Sequence, residues 1–168
     1  AVDITVEPDS ANEFELQLRI PGWCAGVALE INGSPVELQV GNGYAQLRRV
    51  WESGDRVGLR MEMPVQRVYG DRRVGANAGK VALQRGPIVY CLEEVDNGPN
   101  LNALVLPRDA ELKSEFEESL LGGAVTATAA ALRIEKDAEE PLYSTNPGSP
   151  APLTIKAVPY ALWANREL

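Results

Sequence analysis

Apolar and polar residues alternate with a period of two through the first part of the chain. Phe14, Leu16, Leu18 and Ile20 are interleaved with Glu15, Gln17 and Arg19, giving one apolar and one polar face of a half-buried strand that Pro21-Gly22 stops. Val27, Leu29 and Ile31 make the next apolar face. Asn32-Gly33 then supplies the two left-handed positions of a type I′ turn, so Val36 and Leu38 are expected to return antiparallel as a hairpin. After Gly41-Asn42-Gly43, residues 44–51 read as a strand and Ser53-Gly54-Asp55 as its turn. Val57, Leu59, Met61 and Met63 then alternate with polar positions and Gly58 until Pro64. The apolar sides of these alternations, Phe14, Leu16, Leu18, Leu29, Ile31, Leu47, Val57, Leu59 and Met61, are the expected core, each worth about 1.5–3 kcal/mol on burial.

Past Pro64 the pattern loosens. Gly70 through Gly79 holds few large apolar side chains and reads as a link, which divides the chain into a first unit over 1–72 and a second over 73–168. In the second, Val81-Ala82-Leu83, residues 88–92 beyond Gly86-Pro87, and residues 101–106 are short apolar runs expected as strands. The Glu cluster within 111–121 suggests a short helix. Residues 124–134 are read as a strand on Val125, Thr126 and Thr128 in spite of their alanines. Residues 146–152 form a Pro/Gly/Ser loop. Residues 154–163 close the pattern as a strand in which Pro159 requires an edge or a bulge. The expected fold is all-β: antiparallel β-sandwiches in two small sandwich-like units.

Composition narrows the function. The 15 Gly and 12 Pro, spread over the whole length, exclude long helical patterns and with them coiled coils and helical bundles. With 16 Lys+Arg against 24 Asp+Glu the formal charge is −8, which argues against a nucleic-acid partner. No stretch approaches the roughly 18 apolar residues of a membrane helix, and a membrane partner is not expected. The chain begins with Ala1 rather than Met, which suggests processing or a piece of a longer protein. It has no His, so the commonest general base and metal ligand are both missing. Cys24 and Cys91 have no Cys or His nearby, so no zinc spacing exists. A disulfide between them is open arithmetically, although free thiols in strands are the plainer reading, and the redox compartment stays open.

Candidate chemistry is sparse. Glu93, Glu94 and Asp96 are the densest carboxylates, but adjacent strand residues face opposite ways, so they are expected to be solvated acids of a turn. The serines have no His to activate them. Gly70 through Gly79 lacks the Lys-Ser/Thr ending of a phosphate loop. Trp23, Trp51 and Trp163 are candidates for carbohydrate or interface contacts, since an indole face complements the C–H face of a sugar; the plainer alternative is that they fill a core. Arg48-Arg49 and Arg72-Arg73 read as surface charge or docking contacts. No residue is assigned a catalytic, cofactor-binding or metal role.

Several short stretches, taken in order, have the look of one arrangement: Leu18-Arg19-Ile20-Pro21-Gly22-Trp23, Ile31-Asn32-Gly33, Gly43-Tyr44, Arg49-Val50-Trp51-Glu52-Ser53-Gly54-Asp55, and the run from Val81 through Gln84-Arg85-Gly86-Pro87 to Tyr90. The closing Pro159-Tyr160-Ala161-Leu162-Trp163-Ala164-Asn165-Arg166 completes the set. Nearly the whole chain resembles the C-terminal region of the bacterial β-L-arabinofuranosidase family, glycoside hydrolase family 127. The resemblance implies a preceding helical barrel that carries the chemistry: a cysteine thiolate nucleophile at a zinc site with further Cys and Glu ligands, and a Glu acid/base. None of those motifs is present here, and neither Cys24 nor Cys91 matches the nucleophile. The chain is therefore expected to be a non-catalytic accessory β region with no cofactor of its own, zinc being implied only for the barrel. The implied partner is the barrel of the same parent chain, with a homodimer and a glycan as further partners. A final strand is expected beyond Arg166, leaving a sheet edge open. A carbohydrate-binding module is the alternative, and an independent enzyme the third reading.

Overall fold

The computed structural model describes residues 1–136, 139, 141 and 143–166. They form two compact units, Ala1–Pro64 and Val65–Leu168.

The first unit holds β1 (Val2–Val6), β2 (Asn12–Arg19), β3 (Val27–Ile31), β4 (Ser34–Pro35), β5 (Val40–Gly41), β6 (Tyr44–Trp51) and β7 (Asp55–Met61). They make a four-stranded sheet in the order β1-β7-β3-β4 and a three-stranded sheet in the order β2-β6-β5, with every pairing antiparallel. Asn32 (φ 52°) and Gly33 (φ 77°) form the expected left-handed turn, and Asn42 (φ 52°) and Gly43 (φ 78°) repeat it between β5 and β6. The register sets Leu16 opposite Leu47, Leu29 opposite Leu59 and Ile31 opposite Val57. Leu18, Leu29, Ile31, Leu47, Val57 and Leu59 are buried in one core, with Phe14, Leu16 and Met61 packed against it at partial burial. Trp51 sits at its centre, 0% exposed. One buried acid trims this unit. Asp55 accepts from the Glu52 N–H (3.0 Å) and from Asn32 Nδ2 (2.7 Å), and these bonds hold its carboxyl below the usual range despite the opposing effect of burial.

The second unit begins earlier than the glycine-rich segment. β8 (Val65–Tyr69) pairs along its whole length with β9 (Val81–Arg85), so residues 70–80 are a loop inside this unit and not the link between two. The division expected at 72/73 accordingly moves to 64/65. The unit continues with β10 (Ile88–Leu92), one helical turn α1 (Glu94–Asn97), β11 (Leu104–Val105), β12 (Lys113–Glu117), β13 (Ala124–Glu135) and β14 (Ser149–Pro159). Among the described residues these strands build a seven-stranded antiparallel sheet in the order β11-β13-β14-β10-β9-β8, with β12 also paired to β13.

Three expectations are corrected here. Within 111–121 a strand forms and not a helix: a segment this short cannot meet the cost of helix nucleation alone, whereas β13 offers it a ready ladder. Residues 149–152 pair with β13 and extend β14. Pro159 ends β14, and Tyr160–Leu162 turn as a 3-10 helix instead of continuing the strand.

The alanines of β13 are explained by what covers them. Ala127, Ala129 and Ala131 share a face with Ile155 and Ala157 of β14, and Leu104, Leu106 and Leu112 pack down on that face. Short side chains let the crossing segment lie close to the sheet. On the opposite face Ala124 and Val158 pack with Leu120, Cys91 and Leu162.

Candidate functional site

Among the described residues the densest polar cluster lies in the second unit, where α1, β12, β14 and the closing segment meet. α1 turns the chain straight after β10, so Glu93 and Asp96 project to the same side, which a continued strand could not achieve. The Arg166 guanidinium pairs with both, approaching Asp96 Oδ2 at 2.6 Å and also contacting Glu93 Oε2. Lys156 of β14 reaches Glu117 Oε2 at 2.7 Å and Asp96 Oδ1 at 3.6 Å. The Ala164 N–H donates to Glu93 Oε1 at 2.9 Å. Buried Asn97 completes the frame: its Nδ2 donates to the carbonyls of Glu93 and Lys156, and its Oδ1 accepts the Lys156 N–H, each at 2.8 Å.

Side-chain exposure is 10% for Glu93, 13% for Asp96 and 15% for Arg166. Two of the three acids expected to be solvated are thus enclosed ion pairs. Only Glu94 is exposed, its Oε1 accepting the Asn100 N–H. Burial pushes the Glu93 and Asp96 carboxyls up, but it is outweighed. The Ala164 N–H and Arg166 hold Glu93 below its ordinary value, and Arg166 with Lys156 does the same for Asp96. Arg166 in turn is held more firmly protonated, Asp96 being the first cause. Sequence reading missed the cluster because its partners lie 70 and 73 positions apart along the chain.

These groups are poorly placed for chemistry. A carboxylate bound to a guanidinium is a weak base, and one held ionised cannot serve as a general acid near neutrality. The Cys91 thiol is pushed up by burial first and by Glu93 second, the reverse of an activated nucleophile. Cys24 donates its S–H to the Gly26 carbonyl. Among the described residues no group of three or more His, Cys, Asp or Glu side chains is arranged to hold a metal ion.

The three tryptophans fare differently. Trp51 is a core residue: its indole N–H donates to the Phe14 carbonyl (3.1 Å), the Phe14 ring lies 6.0 Å away, and the Arg49 guanidinium covers its ring at 5.1 Å. It offers no surface to a sugar or an interface, and its part in packing withdraws it as a contact candidate. Trp23 is partly buried in the turn after β2. Trp163 is 54% exposed and stacks on Tyr160, itself 57% exposed, with ring centroids 5.7 Å apart and planes 8° apart. Tyr160 was not singled out from sequence, although the signal was there. The three-residue spacing superposes two side chains once the segment turns as a 3-10 helix. Ala164, the next residue, takes a left-handed φ of 56° and presents its N–H to Glu93. The ion cluster therefore fixes the backbone that displays the two rings.

Comparison with known proteins matches both units. Residues 65–168 fit the glycoside hydrolase family 127 C-terminal domain, and residues 1–63 fit the beta-L-arabinofuranosidase, GH127 middle domain. The non-reducing end beta-L-arabinofuranosidase of Bifidobacterium longum subsp. longum is 38% identical over 179 residues, covering 99% of this chain and 27% of that protein. Among solved structures, the GH127 beta-L-arabinofuranosidase Ara127N-Se from Geobacillus stearothermophilus T6 is 52% identical with a TM-score of 0.92, over 98% of this chain and 26% of that one. The GH127 beta-arabinofuranosidase BT3674 is 29% identical with a TM-score of 0.81, over 98% and 28%. The chain spans about a quarter of the length of these relatives.

Proposed function

Because the chain belongs to glycoside hydrolase family 127 through its middle and C-terminal domains, we propose that it is the non-catalytic accessory β region of a larger glycosidase resembling β-L-arabinofuranosidases. In this reading it supports a helical catalytic barrel of the same parent chain, and the zinc chemistry implied for that barrel lies outside these residues. The observation that carries the reading is the fate of the carboxylates. Hydrolysis of a glycosidic bond needs a nucleophile, a carboxylate in most glycosidases and a thiolate in the chemistry that the resemblance implies, together with an acid able to give up a proton; the Cys91 thiol is pushed up and is no such nucleophile. Here the densest acids, Glu93, Asp96 and Glu117, are engaged with Arg166 and Lys156 and hold the closing segment in place.

The test is a side-by-side assay of the 168-residue chain and the full-length protein on a chromogenic β-L-arabinofuranoside, with metal analysis of both. The short chain is expected to give neither turnover nor stoichiometric zinc. Turnover comparable to that of the full-length protein would place the active site within these residues and sink the proposal.

The exposed Tyr160–Trp163 pair favours a second reading, a carbohydrate-binding module, since ring faces of this kind take sugar C–H faces. Retardation of the chain in an arabinan-containing native gel, abolished by Trp163→Ala, is the outcome this reading requires. Unchanged migration of the native chain removes it.

A further inference from the structure

In the second unit, basic side chains outnumber acidic ones around one hollow of the described residues. Beside β8, the exposed 70–80 loop and the 107–110 turn border an open hollow of about 480 Å³ lined by Arg67, Arg72, Lys80 and Arg108, together with Tyr69 and Asn77. That volume lies in the range of small-molecule sites, about 300–1,000 Å³. The one carboxylate in the lining, Asp71, is already taken: Arg73 Nε and the Arg73 N–H both donate to it at 2.9 Å and hold it below its ordinary value. Arg72, Lys80 and Arg108 make no ion pair among the described residues.

The arrangement is built. Arg67 donates to the carbonyls of Pro107 (3.0 Å) and Ala110, which fastens the turn carrying Arg108 against β8. The Asn77 N–H bonds to the Val74 carbonyl and the Lys80 N–H to the Asn77 carbonyl, so the loop that carries Lys80 is closed by its own backbone. Gathering like charges around a hollow costs self-repulsion, and an anion relieves it. In a chain of formal charge −8 the hollow is lined by four cations and one carboxylate, Asp109 lying in the same turn as Arg108 but outside the lining. The rest of the lining selects among anions. Tyr69 is 57% exposed and offers a ring face, and the Asn77 amide offers both a donor and an acceptor for hydroxyl groups. An inorganic ion needs neither.

We propose that this cavity binds an acidic sugar, its carboxylate received by Arg72, Lys80 and Arg108 and its ring face by Tyr69. The choice of a saccharide over other carboxylates rests on the accessory-region reading; the charge of the ligand does not.

Calorimetric titration of the full-length protein with trigalacturonate, its neutral methyl ester and sodium sulfate tests the proposal. Trigalacturonate is expected to bind, to weaken as salt is raised, and to lose at least tenfold in affinity in the Arg72→Ala/Arg108→Ala double variant and in Lys80→Glu. Tyr69→Ala weakens it as well, while Arg48→Ala, on the first unit, leaves it unchanged. The methyl ester is expected not to bind. Absence of trigalacturonate binding overturns the proposal, as does equal binding of the ester. Sulfate binding of equal strength with no effect of Tyr69→Ala also overturns it, by reducing the site to a general anion hole. These failures leave the accessory reading standing, whereas hydrolysis by the 168-residue chain alone sinks that reading and leaves the titration result intact.

Discussion

The two units solve the problem of covering a small β-sheet in different ways. In the first, two sheets cover each other: side chains from β2, β3, β6 and β7 meet around Trp51 in one apolar core, and the polar faces of the strands point outward. In the second, the described strands join in one sheet whose two faces are covered largely by irregular chain, Leu106 and Leu112 beside Leu104 of the short β11 on one side and the residues around Leu120 and Leu162 on the other. Irregular chain has no ladder to hold it. It is fastened by hydrogen bonds and ion pairs, of which the Arg166–Glu93–Asp96 group is the most enclosed. Stability in the first unit thus rests mainly on shape and apolar area, and in the second on a few long-range polar contacts as well.

Trp51→Ala should have the largest effect, because it empties the centre of the first core. A loss of about 3–5 kcal/mol is expected, read as lost hydrogen-exchange protection in β2 and β6. A loss below about 1 kcal/mol would mean that the two sheets do not depend on a common core. Next comes Arg166→Ala, which leaves Glu93 and Asp96 enclosed without their guanidinium. Given their slight exposure, about 3 kcal/mol is expected, with protection lost around β10, α1 and β14. Equal loss in Trp51→Ala and Arg166→Ala in both sets of strands would erase the distinction between the units.

The pH dependence sharpens it further. Glu93 and Asp96 titrate lower folded than unfolded, so their contribution is complete above the unfolded values of about 4–4.5 and drains away as pH falls through the lower folded values. In Arg166→Ala, burial pushes Glu93 upward without its cation. The acid-side loss in urea midpoint should then flatten or reverse, and an unaltered slope would deny that the pair governs it.

Smaller effects come from the backbone. Gly33→Ala places a side chain at φ 77° in the β3–β4 turn and should cost the first unit about 1–2 kcal/mol in denaturant titration. Ala164→Gly relieves a left-handed alanine held by the ion cluster, and should raise the second unit's unfolding free energy by up to about 1 kcal/mol in denaturant titration. A fall on Ala164→Gly would show that the closing segment is not strained.

Most of the first unit was legible from residues in sequence order. Leu18, Leu29, Leu47 and Leu59 stand on the apolar side of their alternations and are buried, and Asn32-Gly33 turns as its chemistry requires. The second unit was legible in its strands but not in their packing. Its alanines carried no periodic signal, and residues 113–117 became a strand only because β13 was there to pair with. Of the site candidates, Trp163 is on the surface and Trp51 is not, and nothing in the spacing of the tryptophans separates the two.

What the sequence determined by itself is what depends on near neighbours: the β alternation, the left-handed turns, the absence of His and of clustered thiols, and the order of motifs that match glycoside hydrolase family 127. Tertiary structure alone decided which charges come together and which of those groups are enclosed. Glu93 and Asp96 look like turn acids until Arg166 is brought to them from 73 and 70 positions away, and Arg67, Arg72, Lys80 and Arg108 look like scattered surface charge until β8 and two loops set them around one cavity. Electrostatic interaction depends on distance in space and on exclusion of water, and neither is written in the spacing of residues along a chain.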